Sequence, residues 1–259
     1  MQMSRYPFGK YSLLPRCTPG ASIQAGDRLY RLEIPAGAAG SYRVAQLDDT
    51  QGLQRRAFKH RPPFQLELKG RVSQRQLPGT WGFGLWNDPF GLSLPWTAGG
   101  LRLPVLPNAA WFFHASAQNY LTLEDDQPGC GWLAAVFRSP AGRPLRRPAH
   151  PRRGPAVPGS GGWLGRLGRR AGRFLVCQES ARMDVNPCDW HTYRLDWQAQ
   201  RVRFWVDDGL ALETSWAPRL PLGLVIWIDN QFLAFRPDGS LQAGAEATLE
   251  PAWIEIAWD

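Results

Sequence analysis

The side chains best suited to acid–base work are His114, in AAWFFHAS, and Asp229, directly after the apolar run LGLVIWI. Histidine titrates near neutral pH, so either group could move a proton if a substrate reaches it. Each also has a plain structural reading. His114 fits a half-buried ring satisfied by a neighbour, and Asp229-Asn230-Gln231 fits a turn held by Asx hydrogen bonds. Asn87, in the turn signal Asn87-Asp88-Pro89, and Asn230 are candidate polar contacts for a ligand. Trp86, Trp111, Trp205 and Trp227 are the candidate aromatic contacts, able to stack on the C–H face of a sugar or to bury a hydrocarbon. Which of them share a face depends on register, because a slip of one residue reverses each. Arg203 falls on the same strand face as Trp205 and could pair with an acidic ligand group.

Other chemistry is disfavoured. Cys17, Cys130, Cys177 and Cys188 lack metal-ligand spacing, the nearest two being eleven residues apart, so neither a metal site nor a cofactor is expected. The first residues, MQMSRYPFGKYSLLP, carry no signal-peptide pattern, and no run approaches a membrane span. Four reduced thiols in a cytoplasmic protein are the expectation, with a peripheral place on the inner face of the membrane as the alternative. The net charge of +8 is local: residues 138–173 hold ten Arg and no acid, and the remainder of the chain is near neutral. Those Arg lack stacking aromatics along a basic groove, so no specific nucleic-acid partner is expected.

The elements that must position these residues have a period of two. FQLELKGRV (64–72) and RVRFWVDDG (201–209) alternate apolar and polar residues, as half-buried strands do. Further strands are expected at 28–34, 41–47, 80–86, 110–116, 120–123, 132–137, 191–197, 222–228 and 253–258. That makes about eleven, separated by Gly and Pro, and points to an all-β sandwich of two antiparallel sheets in a single domain, 1–259. Residues 138–175 read as a flexible basic insert rich in Pro, Gly and Arg. Its second half, WLGRLGRRAGRFL, has the spacing of an amphipathic helix, with Arg166, Arg169, Arg170 and Arg173 opposite Trp163, Leu164, Leu167, Ala171, Phe174 and Leu175. That pattern suits an anionic membrane surface, or a short helix resting on the sandwich. Gly82 and Gly84, on the same face as Trp86, suit close approach of a ligand or another backbone.

SYRVAQL (41–47), FQLELKGRVSQRQLPGTWGFGLWN (64–87), DWHTYRLDWQAQRVRFWVDDGLAL (189–212) and WIEIAW (253–258), in this order, resemble the concanavalin A-like jelly roll of glycoside hydrolase family 16. Gly79-Thr80-Trp81, Trp190-His191, Tyr193, Trp197 and Asp207-Asp208-Gly209 fill the places of that family's motifs, and Trp81 and Trp197 are assigned to core packing. The resemblance implies a concanavalin A-like jelly-roll sandwich with a concave groove. The family's hydrolases carry Glu-x-Asp-x-Glu on one strand, and two of these carboxylates stand at the separation of ~5–5.5 Å that retaining chemistry needs. The corresponding strand here, AAWFFHASAQNYLTL (109–123), has no acid. A retaining glycosidase mechanism is therefore not expected. Two readings stand: non-hydrolytic binding of a carbohydrate in the groove, or an enzyme or carrier for a hydrophobic, lipid- or isoprenoid-like ligand at a membrane surface, with 138–175 covering an apolar groove.

Overall fold

The computed structural model describes residues 5–89, 105–125, 129–140 and 163–259. Its strands are β1 (Tyr6–Phe8), β2 (Tyr11–Cys17), β3 (Ser22–Gly26), β4 (Leu29–Ile34), β5 (Val44–Asp48), β6 (Phe64–Val72), β7 (Thr80–Trp86), β8 (Ala109–Ala115) and β9 (Gly131–Arg138). Helix α1 (Trp163–Leu175) follows, and then β10 (Cys177–Arg182), β11 (His191–Trp197), β12 (Val202–Val206), β13 (Gly209–Thr214), β14 (Gly223–Asp229), β15 (Gln231–Phe235), β16 (Leu241–Ala245) and β17 (Ala252–Ala257). One sheet has eight strands in the order β1-β2-β5-β14-β7-β8-β9-β10, and the second has seven in the order β13-β12-β11-β6-β17-β4-β3. Every strand pair is antiparallel, and β15 and β16 form a separate hairpin. This is a two-sheet jelly-roll sandwich.

Alternation builds the inter-sheet core. Along β6, Phe64, Leu66, Leu68 and Val72 are buried while Gln65, Glu67 and Lys69 are exposed. Its partner β11 sets Leu195 opposite Leu66 and Tyr193 opposite Leu68, so both strands turn the same apolar face inward. Aromatic rings join the two layers. Phe112 of the eight-stranded sheet meets Phe204 of the other edge-to-face at 5.1 Å, and Tyr193 lies 5.1 Å from both Phe83 and Phe112. Trp81 stacks on Trp132 at 4.0 Å, and Trp197 is fully buried. Each such side chain contributes roughly 1.5–3 kcal/mol by leaving water.

The structure differs from the sequence reading in three places. Residues 120–123 form no strand; they touch β15 through a single parallel bridge between Tyr120 and Ala234. Several strands escaped the periodicity: β2 contains Pro15, and β10 (CQESAR) is polar at the sheet margin. Helix α1 forms as its spacing predicts, but its Arg residues are not one solvated face. Arg169 is only 3% exposed and points into the protein, while Phe174 is 90% exposed. Residues 141–162 of the insert, and Phe90 and Gly91 after the Asn-Asp-Pro turn, lie outside the described residues.

Candidate functional site

Central strands of the eight-stranded sheet carry a second apolar layer on the face turned away from the core. Ala109, Phe113, Ala115, Leu133, Ala135, Phe137, Val225 and Trp227 are buried there, with Trp86, Trp111, Leu106, Leu121 and Leu123 packed against them. Register fixes the arrangement. Trp227 stands opposite Gly82, which stands opposite Phe113; Gly84 stands opposite Trp111; Trp86 stands opposite Ala109. Three indoles from three adjacent strands therefore converge. Trp86 and Trp227 are parallel within 5° at 6.3 Å, and Trp111 lies 5.3 Å from Trp227 and 6.1 Å from Trp86. Trp227 donates its Nε1–H to Thr80 Oγ1 at 2.9 Å, whereas the Nε1 groups of Trp86 and Trp111 are buried without a partner among the described residues. Among the described residues the same holds for Trp81 and Trp132 in the core, and a buried donor left unmade costs about 1–3 kcal/mol.

The two glycines in this face are close-approach positions. A Cβ on Gly82 would sit 3.0 Å from the Trp227 ring and 2.3 Å from the Phe112 carbonyl oxygen, and one on Gly84, whose φ is +144°, would fall 2.6 Å from Trp111 Cα. The space above Gly82 and Gly84 is thus taken by β8 and by the indole of Trp227, not left open for a ligand.

Beside the indoles the same face becomes polar. Asp229 Oδ1 accepts hydrogen bonds from Thr80 N (3.1 Å), Thr80 Oγ1 (2.9 Å) and Gln231 N (3.1 Å). Burial pushes its pKa up to about 7 against those hydrogen bonds, and the charge of Glu246 adds to the rise. On the neighbouring β5, Gln46 pairs with Trp227 and Asp48 with Val225. Gln46 donates to Asp48 Oδ2 at 2.8 Å, and Thr50 Oγ1 donates to Asp48 Oδ1 at 2.6 Å. One strand further out, Arg16 of β2 pairs with Gln46. Among the described residues its Nε is buried without a hydrogen-bond partner. Tyr42 is within electrostatic reach of both Asp229 and Arg16, and burial holds its hydroxyl well above the ordinary range. Arg16, Tyr42, Gln46 and Thr80 were missed from the sequence. Val44-Ala45-Gln46-Leu47-Asp48 does hold a signal, since alternation puts Gln46 and Asp48 on one face.

The other expected site residues are distributed as follows. Asn87 braces a loop, donating to the Leu106 carbonyl at 3.0 Å and accepting from Asn108 N at 3.0 Å. Asn230 is fully buried; it accepts from Arg43 N at 2.8 Å and donates to the Ser41 and Glu246 carbonyls. His114 does not border the aromatic face. The β8 alternation turns it toward the inter-sheet core, where it stacks on Trp81 at 5.5 Å, and burial lowers its pKa to about 4. It lines a separate cleft of about 530 Å³ at the end of the sandwich, together with Ser116, Arg182 and Glu246. Arg203 and Trp205 lie on β12 of the other sheet, so they too are removed from this face. Arg203 pairs with Glu213 at 2.6 Å, and Trp205 lies under Arg194 at 4.3 Å.

Among the described residues no acidic group stands free beside the indoles. Strand β8 has none. Glu246, near Asp229, accepts from Gly79 N at 3.1 Å and from Ser116 Oγ, and it opens on the end cleft. Among the described residues no cluster of His, Cys, Asp and Glu could hold a metal ion, and no helix is long and apolar enough to cross a membrane.

No protein-family model and no curated protein matches the chain. Solved structures similar to it include a Bacillus licheniformis β-glucanase, with 10% identity, a TM-score of 0.43, and coverage of 99% of this chain and 95% of that one. A glycoside hydrolase family 16 endo-glucanase from Bacteroides ovatus is 10% identical at a TM-score of 0.43, with 92% and 83% of the two chains covered. A glycoside hydrolase family protein from Mycobacterium thermorestibile is 12% identical at a TM-score of 0.42, with 88% and 73% covered.

Proposed function

We propose that this chain binds a carbohydrate, without cleaving it, on the outer face of the eight-stranded sheet. The observation that carries this reading is the convergence of Trp86, Trp111 and Trp227 beside a polar flank, with two indole N–H groups lacking acceptors among the described residues. A sugar ring offers what such a surface lacks: an apolar C–H face to lie on the indoles and hydroxyl oxygens to accept from their Nε1–H groups. A largely apolar wall with a few convergent polar groups is the usual make-up of a small-ligand site. Strand β8 carries no carboxylate, which supports binding over hydrolysis by the two-carboxylate mechanism. The resemblance of the Gly79-Thr80-Trp81 and Trp190–Trp197 segments to glycoside hydrolase family 16 points to the same ligand class. The test is titration of gluco-oligosaccharides against intrinsic Trp fluorescence, beside a reducing-end assay on the same sugars. Quenching that saturates with no new reducing ends supports the proposal; release of reducing ends, or no response to any glycan, overturns it.

A second reading has its own observation. Phe174, at 90% exposure, and Leu175, at 43%, project from the end of α1 beside exposed Arg170 and Arg173. Apolar side chains next to cations suit an anionic bilayer surface, from which a hydrophobic ligand would reach the apolar outer face. Flotation with phosphatidylglycerol vesicles decides it. The intact chain floats and F174D does not, or neither floats and the reading falls.

A further inference from the structure

Resting on the carbohydrate reading, we infer that the site takes an acidic oligosaccharide, whose carboxylate or sulfate group is received by Arg16. Arg16, Gln46, Trp227, Gly82 and Phe113 form one cross-strand row on the outer face, each residue paired with the next. Strand spacing places the Arg16 and Trp227 backbones about 10 Å apart, within the span of two linked sugar rings and the reach of an arginine side chain. Arg16 has no ion pair or hydrogen bond among the described residues, and its Nε is already buried. A guanidinium that is partly desolvated and unpaired is costly in the free protein, and it gains most from an anion of matching shape. The nearby acids accept hydrogen bonds from other groups. Asp48 is held by Thr50, Gln46 and Gln51, and Asp229 is held by Thr80 and Gln231. The row thus sets an unpaired cation two strands from the indole cluster, for the charged substituent of a sugar bound there.

The test compares a neutral cello-oligosaccharide, an oligogalacturonate and a sulfated galactan oligosaccharide of equal length, against the wild type, R16Q and R16K. The wild type should bind one of the two charged sugars at least tenfold more tightly than the neutral one, with the preference shrinking as salt rises. R16Q should abolish that preference, costing the charged sugar at least tenfold more affinity than it costs the neutral one, and R16K should restore only part of it, because an ammonium lacks the two-pronged geometry. Which charged sugar responds identifies carboxylate or sulfate. Neutral binding with no charged preference, or equal loss of all three sugars in R16Q, overturns the inference and leaves the carbohydrate reading intact. Failure of all three sugars on the wild type overturns both.

Discussion

Trp227 donates its indole N–H to Thr80 Oγ1 at 2.9 Å, and that same hydroxyl donates to Asp229 Oδ1 at 2.9 Å. The aromatic platform and the buried carboxyl are therefore one hydrogen-bonded unit spanning β7 and β14. Trp111 belongs to the platform without entering that chain, and its Nε1 has no partner among the described residues. The two indoles should separate by mutation. W227A removes a 7%-exposed ring and a hydrogen bond, so it should cost about 3–5 kcal/mol in denaturant unfolding and abolish sugar binding. W111F keeps most of the packing and loses only the free donor. It should leave stability within about 1 kcal/mol while weakening sugar binding several-fold. Unchanged affinity in W111F would remove the indole donor from the site.

A pH prediction follows from Asp229 and His114, whose pKa shifts oppose each other. Asp229 titrates near 7 when folded and near 3.8 when unfolded, so its contribution to stability is full below about 4 and falls as pH rises toward 7. His114 titrates near 4 when folded and near 6.5 when unfolded, so its contribution is full above 6.5 and is lost as pH falls toward 4. Across pH 4 to 6.5 the two slopes cancel. D229N, which keeps an acceptor for Thr80 and Gln231, should expose the histidine slope, with Tm rising from pH 4 to 6.5 relative to the wild type. H114F, which keeps the stack on Trp81, should show the opposite slope. Difference curves that stay flat for both variants would mean that neither group is held as its burial implies.

How much of this was readable beforehand depended on which force set each position. The sandwich was legible because strands such as Phe64–Val72 alternate cleanly, and burial of one face enforces that pattern. Central strands of the eight-stranded sheet are apolar on both faces, so periodicity could not say which way Trp111, His114 or Trp227 pointed. Only the register with β7 and β9 decided it. Arg203 and Trp205 looked equivalent to the groove residues because strand alternation is blind to which sheet a strand joins. Arg16 stayed hidden because Pro15 interrupts its strand pattern, and pairing with β5 is a contact some thirty residues away in sequence. For α1 the amphipathic spacing was real, but it grouped Arg169 with Arg166, Arg170 and Arg173, which are exposed. Backbone carbonyls, invisible to composition, set Arg169 apart by capturing it.

Arg169 locks α1 to the loop that covers the outer sheet face, and this attachment can be broken selectively. Its Nη1 donates to the Thr122 carbonyl at 3.0 Å and to the Phe235 carbonyl, its Nη2 to the Glu124 carbonyl at 2.8 Å, and its Nε to Asp125 Oδ1 at 3.1 Å. The guanidinium also lies 5.0 Å from the Tyr120 ring. Gly172, one turn on, lets Leu123 approach to 3.1 Å of where a Cβ would be, and Leu121 and Leu123 pack on the outer-face cluster. An ammonium cannot serve this fan of acceptors, so R169K should behave almost like R169M. Both should speed amide hydrogen exchange across α1 and residues 120–125 by at least tenfold, while exchange in β6 and β11 stays slow. D125N should change little, because Asp125 is 52% exposed and the three carbonyls keep their donor. Undiminished protection of α1 in R169M would show that the helix is held by its other contacts and that Arg169 is a passenger.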